Sequence, residues 1–155
     1  MKLARFVARP LSKITRCKNY LLASWFRTKP VSLGARSELL AERFLKRRGM
    51  KIVGRNYRDR MGEIDIVAVD KRTVVFVEVK CRTSDDHGAG FEAVDEKKQQ
   101  KMARTALTFL QRHDLLENAY RFDIVSMLWP PNQSQPQIEH FPNAFQPTAK
   151  NQMFG

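Results

Sequence analysis

Two cysteines among 155 residues, Cys17 and Cys81, leave no material for a disulfide framework or a CxxC metal knuckle. A reducing, cytoplasmic setting is the default that follows. Long apolar runs are equally scarce. The longest in the N-terminal stretch, Leu21-Leu22-Ala23-Ser24-Trp25-Phe26, is far too short to cross a bilayer. It carries neither the length nor the clear small-residue cleavage site of a secretory signal. Walker-type loops and GxGxxG are missing, which removes the commonest nucleotide-binding signatures. His87 and His113 have no partners at catalytic spacing. The most informative absence is of acid at one end. Nothing acidic precedes Glu38, while residues 1–37 hold nine Lys or Arg. From Glu38 onward 19 basic residues face 16 acidic ones, so only +3 of the net +12 belongs to the remainder of the chain. The arm's basicity is therefore separable from whatever the rest does.

What is present is enough apolar material for one folded domain, 43% hydrophobic with ten Phe. Residues 1–33 read as a basic arm. Its Arg-rich, acid-free composition also suits an organelle transit peptide or docking on an anionic membrane or partner. A domain follows over 34–145, with a tail over 146–155. Leu39, Leu40, Phe44 and Leu45 recur at helical spacing over 35–48, and Gly49 supplies a stop. Strands are expected over 51–57, 61–69 and 73–81, the last nearly all apolar and so buried on both faces. A polar loop covers 83–90, a helix 94–112 and a strand 121–128. The stretch from Trp129 holds five of the seven prolines and is expected to be irregular. The class is α/β, with a mixed central sheet flanked by helices.

Chemistry concentrates on two of these strands. Alternation puts Glu78 and Lys80 on one face, with Val77 and Val79 opposite. Asp65 lies on the preceding strand in the apolar context Ile64-Asp65-Ile66-Val67, and a hairpin through Asp70-Lys71-Arg72 brings it close to Glu78. Two carboxylates side by side on central strands suffer desolvation and mutual repulsion, both relieved by a divalent cation. Oxygen ligands of this kind suit Mg²⁺ or Mn²⁺. Glu-x-Lys alone is more often an exposed ion pair. Its apolar strand, the acid on the partner strand and Glu38 on the helix before them make the set specific.

The stretch Met61-Gly62-Glu63-Ile64-Asp65-Ile66-Val67-Ala68, followed by Val75-Phe76-Val77-Glu78-Val79-Lys80, resembles the signature of the YraN family. Arg55-Asn56-Tyr57, Lys98-Gln99 and Arg121-Phe122-Asp123-Ile124-Val125 match the same pattern. The resemblance covers about residues 34–145 and departs at Ser37, where a glycine is usual. It implies a restriction-endonuclease-like fold of the PD-(D/E)xK superfamily, an αβββαβ core similar to archaeal Holliday-junction resolvases. In that pattern Asp65 and Glu78 would ligate Mg²⁺ with the Val79 carbonyl, and Lys80 would orient or help deprotonate the attacking water, or neutralise charge at the scissile phosphate. Glu38 matches the helix-one glutamate, reaching the metal directly or through water; a first-turn acid favourable to the helix dipole is the plain alternative. Lys98 and Gln99 would hold substrate backbone, or else are solvated helix residues. Glu63 is an extra ligand or a partner for Lys80, and Asp123 is structural.

Eight basic residues between Arg43 and Arg60 face one acid, Asp59. This strip, with Arg55, Arg58 and Arg60 nearest the motif, offers phosphate contact, the alternative being a solvated helix face. Phosphate contact carries no sequence information. The expectation is a metal-dependent endonuclease acting on DNA, structure-selective for branched intermediates by the resolvase resemblance. The alternative is a non-catalytic nucleic-acid-binding protein that keeps the fold. Resolvases act as dimers, so a homodimer is implied, although the chain carries no dimerisation motif.

Overall fold

The computed structural model describes residues 32–84 and 95–147. Residues 1–31 of the expected basic arm, with Cys17, and His87 with most of the 83–90 loop lie outside the described residues, as does the tail beyond 147. Helix α1 (Leu33–Arg47) starts earlier than expected because Ser32 caps it, its hydroxyl accepting the Ala35 N–H at 3.2 Å. It ends at Gly49, whose φ of +86° suits glycine. The Gly49 N–H donates to the Lys46 carbonyl and the Met50 N–H to the Leu45 carbonyl, closing the last turn in a Schellman arrangement.

Strands β1 (Lys51–Arg58), β2 (Glu63–Asp70) and β3 (Thr73–Arg82) form an antiparallel meander. The β2–β3 turn is tighter than expected: Asp70 pairs with Thr73, and Lys71 takes a φ of +54°. Helix α2 (Glu96–Arg112) then carries the chain to β4 (Tyr120–Leu128), which runs parallel to β3. Asp95 caps α2, accepting the Lys98 N–H at 2.8 Å. The sheet order is β1-β2-β3-β4-β5, so the expected mixed sheet and αβββαβ core are present.

One expectation fails. The proline-rich stretch after Trp129 is not irregular throughout, because Gln137–Phe145 forms β5, antiparallel to β4. An edge strand can carry Pro142, whose missing N–H need not face a neighbour. Its register slips between the partners of Phe122 and Ile124, and Asn143 sits there with a φ of +53°. Strand β4 is consequently not the last strand.

Each face of the sheet holds one helix. On one face Val74 and Phe76 of β3 pack with Met102, Ala106, Phe109 and Leu110 of α2, together with Phe122. On the other, Val75 and Val77 pack with Ala41 and Leu45 of α1 and with Val125 and Met127. Phe76 is the aromatic hub of the first layer, with ring centroids 5.7 Å from both Phe109 and Phe122. Strand β3 is thus covered on both sides, as its continuous apolar run implies.

Candidate active site

The site forms where two strands part. The β2–β3 ladder runs from Asp70↔Thr73 to Ile66↔Val77 and stops. Beyond that point β2 stays with β1 as far as Glu63, while β3 stays with β4 as far as Arg82. Asp65 fills the resulting gap and its carboxylate accepts the Val79 N–H at 2.8 Å. The hairpin brings Asp65 to the Glu78 strand, but by reaching across a split rather than by direct pairing.

Glu78 continues the face of Val74 and Phe76, the face that α2 covers, and is only 4% exposed. The Lys98 ammonium of α2 sits directly on the Glu78 carboxylate. Burial pushes the Asp65 pKa up and the neighbouring Glu78 charge pushes it further, to about 6 despite the Val79 N–H bond. Burial disfavours the charge on Lys98, but the Glu78 contact outweighs it and holds that ammonium above its ordinary range. Lys80 moves the other way: burial lowers its pKa, assisted by Lys98 and opposed by Glu78.

An open cleft of about 290 Å³ gathers Ser37, Glu38, Glu63, Asp65, Glu78 and Lys98 along its wall, with Val79 and Cys81. Lys80 shares the Glu78 strand face but does not line this cleft. Glu38 is turned by Asn56, whose side-chain amide donates to its carboxylate at 3.0 Å. Asn56 takes a φ of +47° inside β1, a conformation that asparagine tolerates better than most residues. Ser37, at the position where glycine is usual in the YraN pattern, is buried, and its hydroxyl donates to the Gly34 carbonyl at 2.7 Å. Burial raises the Cys81 thiol pKa against a Ser37 hydrogen bond, so this cysteine is no activated nucleophile.

The motif glycine also has a physical reason. At the β1–β2 turn Asp59 accepts the Met61 and Gly62 N–H groups at 2.8 and 3.1 Å. A Cβ on Gly62 would come within 3.1 Å of the Thr105 hydroxyl of α2, so glycine lets the hairpin tip lie against that helix.

The basic strip is partly occupied by acids of its own fold. Arg55 donates to Glu42 at 2.5 Å, and Lys46 contacts the same carboxylate at 2.6 Å. Burial alone would raise the Glu42 pKa, but these two cations hold it below the ordinary range. Arg58 pairs with Glu63 at 3.0 Å at the cleft lip, and Arg60 is exposed in the turn. Gln99 is half-buried on α2 beside Lys98. Asp123 is fully buried and accepts from Arg121, His140 and the Asn143 N–H, which agrees with a structural role. Its His140 partner is invisible in the sequence because the proline-rich stretch does not announce β5. His113 packs on Phe109, with ring centroids 4.4 Å apart, away from the cleft residues.

Among the described residues no three of His, Cys, Asp or Glu stand close enough to enclose a metal ion. The donor set fits a divalent cation that keeps several waters: two carboxylates, Asp65 and Glu78, with Val79 also on the cleft wall. Burial and the neighbouring Glu78 charge make ionisation of Asp65 costly in the folded protein, and a hard cation would relieve that cost. No helix of the described residues is long and apolar enough to cross a membrane.

Comparison with known proteins bears on this geometry. The family model described as "Uncharacterised protein family UPF0102" matches residues 37–127. A UPF0102 protein of Geobacter metallireducens is 48% identical over 115 residues, covering 74% of this chain and 93% of its own length. One from Nocardia farcinica is 45% identical over 114 residues, covering 74% and 89%. Another, from Rhodopirellula baltica, is 38% identical over 126 residues, covering 79% and 75%. The matched segment contains Glu38, Asp65, Glu78, Lys80 and Lys98 together.

Proposed function

This chain belongs to the uncharacterised protein family UPF0102, the YraN family of the restriction-endonuclease-like superfamily, and on that premise we propose that it is a metal-dependent nuclease cleaving phosphodiester bonds in DNA. The observation that carries the proposal is the pair of carboxylates, Asp65 and Glu78, meeting at a strand split with the Lys98 ammonium seated on Glu78. Asp65, Glu78 and the Val79 carbonyl would hold Mg²⁺ or Mn²⁺. Such an ion, when bound, neutralises charge developing on a phosphoryl group and lowers the pKa of a bound water.

The chain's own residues supply the rest. Lys80 gives up its proton more readily than an ordinary lysine, which suits a group that orients the attacking water and takes its proton. Lys98 lines the cleft from the first turn of α2 and Gln99 follows it, a cation and an amide that would grip phosphate oxygens. Arg58, at the end of β1, reaches the cleft lip through Glu63, and Arg60 is exposed in the turn that follows. The likeness to Holliday-junction resolvases favours branched DNA, and a reducing cytoplasmic setting fits the cysteine usage.

Purified protein should cut labelled linear, flapped or four-way DNA in Mg²⁺ or Mn²⁺, and Asp65→Ala and Lys80→Ala should not. The proposal fails if no nucleic-acid structure in such a panel, RNA included, is cut in a manner needing both metal and Asp65. One observation favours a second reading, a nucleic-acid-binding protein without turnover. Lys98 already balances Glu78, so the fold does not require a metal to bury that acid. That reading wins if Asp65→Ala and Lys80→Ala proteins bind DNA normally and restore every defect of a deletion strain.

A further inference from the structure

Glu78 is a nearly buried carboxylate, and its partner in the described structure is a lysine from another element. A buried carboxylate needs a counter-charge, and Lys98 provides it. The Lys98 position is otherwise unfavourable for a cation. It lies in the first turn of α2, where the helix dipole is positive and acids are preferred. Its backbone is pinned by the Asp95 cap, yet 47% of its side chain faces solvent, against 5% for Glu78. The ammonium can therefore leave Glu78 without any movement of the helix.

We propose that Lys98 is a built-in competitor for the divalent cation: it occupies Glu78 until a metal ion enters, then swings out over the cleft mouth to meet phosphate. This rests on the metal-dependent reading above and adds to it a regulating residue for the same site. A single ammonium cannot neutralise both Glu78 and Asp65, whose carboxylate accepts the Val79 N–H and still feels the Glu78 charge. A divalent ion can neutralise both, so the exchange is favourable in charge while costing the Lys98–Glu78 contact. Metal affinity is consequently set low by design, and nucleic acid, by giving the displaced ammonium a new partner, should raise it. Binding of metal and phosphate at this cleft would then be mutually reinforcing.

The experiment is titration of Mn²⁺ into full-length, metal-stripped protein by calorimetry, for the parent, Lys98→Gln, Lys98→Ala, Lys98→Arg and Lys97→Ala. Lys98→Gln keeps a donor for Glu78 and guards against a failure of Lys98→Ala to fold. Both neutral variants should bind Mn²⁺ about tenfold more tightly, the size of one lost competing ion pair. Lys98→Arg and Lys97→Ala should stay close to the parent, Lys97 being an exposed neighbour on the same helix turn. Equal or weaker Mn²⁺ binding by both neutral variants overturns the inference, and if the parent still cuts DNA the nuclease reading survives that result. Tighter binding by those variants, with no cleavage by the parent, upholds the competitor and removes the nuclease activity. Absence of Mn²⁺ binding in every protein overturns both.

Discussion

Replacing Asp65 by asparagine should make the metal-free protein more stable at alkaline pH, the reverse of what most substitutions in a folded strand do. The reasoning starts from a carboxyl whose pKa is raised from 3.8 to about 6 by burial and by the Glu78 charge. A raised acid favours the folded state at low pH, below about 3.8, where both states hold the proton. That contribution is lost as pH climbs through about 6, because folding then confines a charge that the unfolded chain leaves in water. At about 1.36 kcal/mol per pH unit the loss approaches ~3 kcal/mol, an upper figure for a group with some access to solvent. The side-chain amide of the Asp65→Asn protein would accept the Val79 N–H as the carboxylate does, but would never ionise. Urea unfolding in EDTA should therefore show Asp65→Asn gaining roughly 1–3 kcal/mol over the parent at pH 8 and nearly nothing at pH 4. Added Mn²⁺ should narrow the gap at pH 8 by stabilising the parent alone. If Asp65→Asn equals or falls below the parent at pH 8 in EDTA, the ionised carboxylate is no burden to the fold, and the strand-split site loses its electrostatic basis.

Two further substitutions test the scaffold. Asp123→Ala removes the fully buried acceptor of Arg121, His140 and the Asn143 N–H, and should cost roughly 3–5 kcal/mol in urea unfolding at pH 7. Burial would raise the Asp123 pKa, but those donors hold it below 3.8, so its contribution stands above that pH and fades as pH falls further; a loss under about 1 kcal/mol would mean that β5 docks without it. Gly49→Ala should cost about 1 kcal/mol through backbone strain alone, because nothing lies within 4 Å of the added methyl and φ is +86°. A variant as stable as the parent would show that the α1 terminus can relax out of that conformation.

Much of the fold was legible because β2 and β3 are so apolar that only strands buried in a sheet could hold them, and because α1 and α2 carry clear apolar stripes. The last strand was not. Prolines at 130, 131, 136 and 142 suggest irregular chain, yet an edge position needs backbone bonds on one side only, and Phe145 stacks on Phe122 at 4.7 Å to anchor it. With β5 unseen, the His140–Asp123 contact could not be anticipated. The site was legible in composition rather than in geometry. Alternation correctly put Glu78 on a shared face with Lys80, and the hairpin correctly brought Asp65 near. No pattern of residue types announces that the ladder stops at Ile66↔Val77, or that Asn56 takes a positive φ to hold Glu38. Lys98 and Arg55, read as phosphate ligands, face Glu78 and Glu42, acids 20 and 13 residues away in sequence that the fold makes their neighbours in space.

These pairings sharpen what the basic strip can contribute. Glu42 takes up Arg55 and Lys46, and Arg48 lies over the Phe44 ring with its guanidinium 4.5 Å from the centroid. Arg43, Arg47, Lys51 and Arg60 are exposed and hold no acid among the described residues, so a phosphate approaching α1 and β1 would meet these four first. Arg58 is intermediate, since its Glu63 partner stands at the cleft lip and the pair is open to water on both sides. An exposed pair of that kind is worth little, and a phosphate could replace Glu63 at small cost. The cations thus divide by burial of their partners. Those facing buried acids build the fold, and those facing solvent or an exposed acid remain open to an approaching anion. Lys98 crosses that division. Like Arg55 and Lys46 it holds a buried carboxylate with a half-exposed side chain, but Glu42 lies outside the cleft whereas Glu78 lines it. Releasing Glu42 would gain nothing for a substrate, while releasing Glu78 would free an acid for a metal ion and an ammonium for phosphate together, which is why the proposed exchange of ions at this cleft would turn on Lys98.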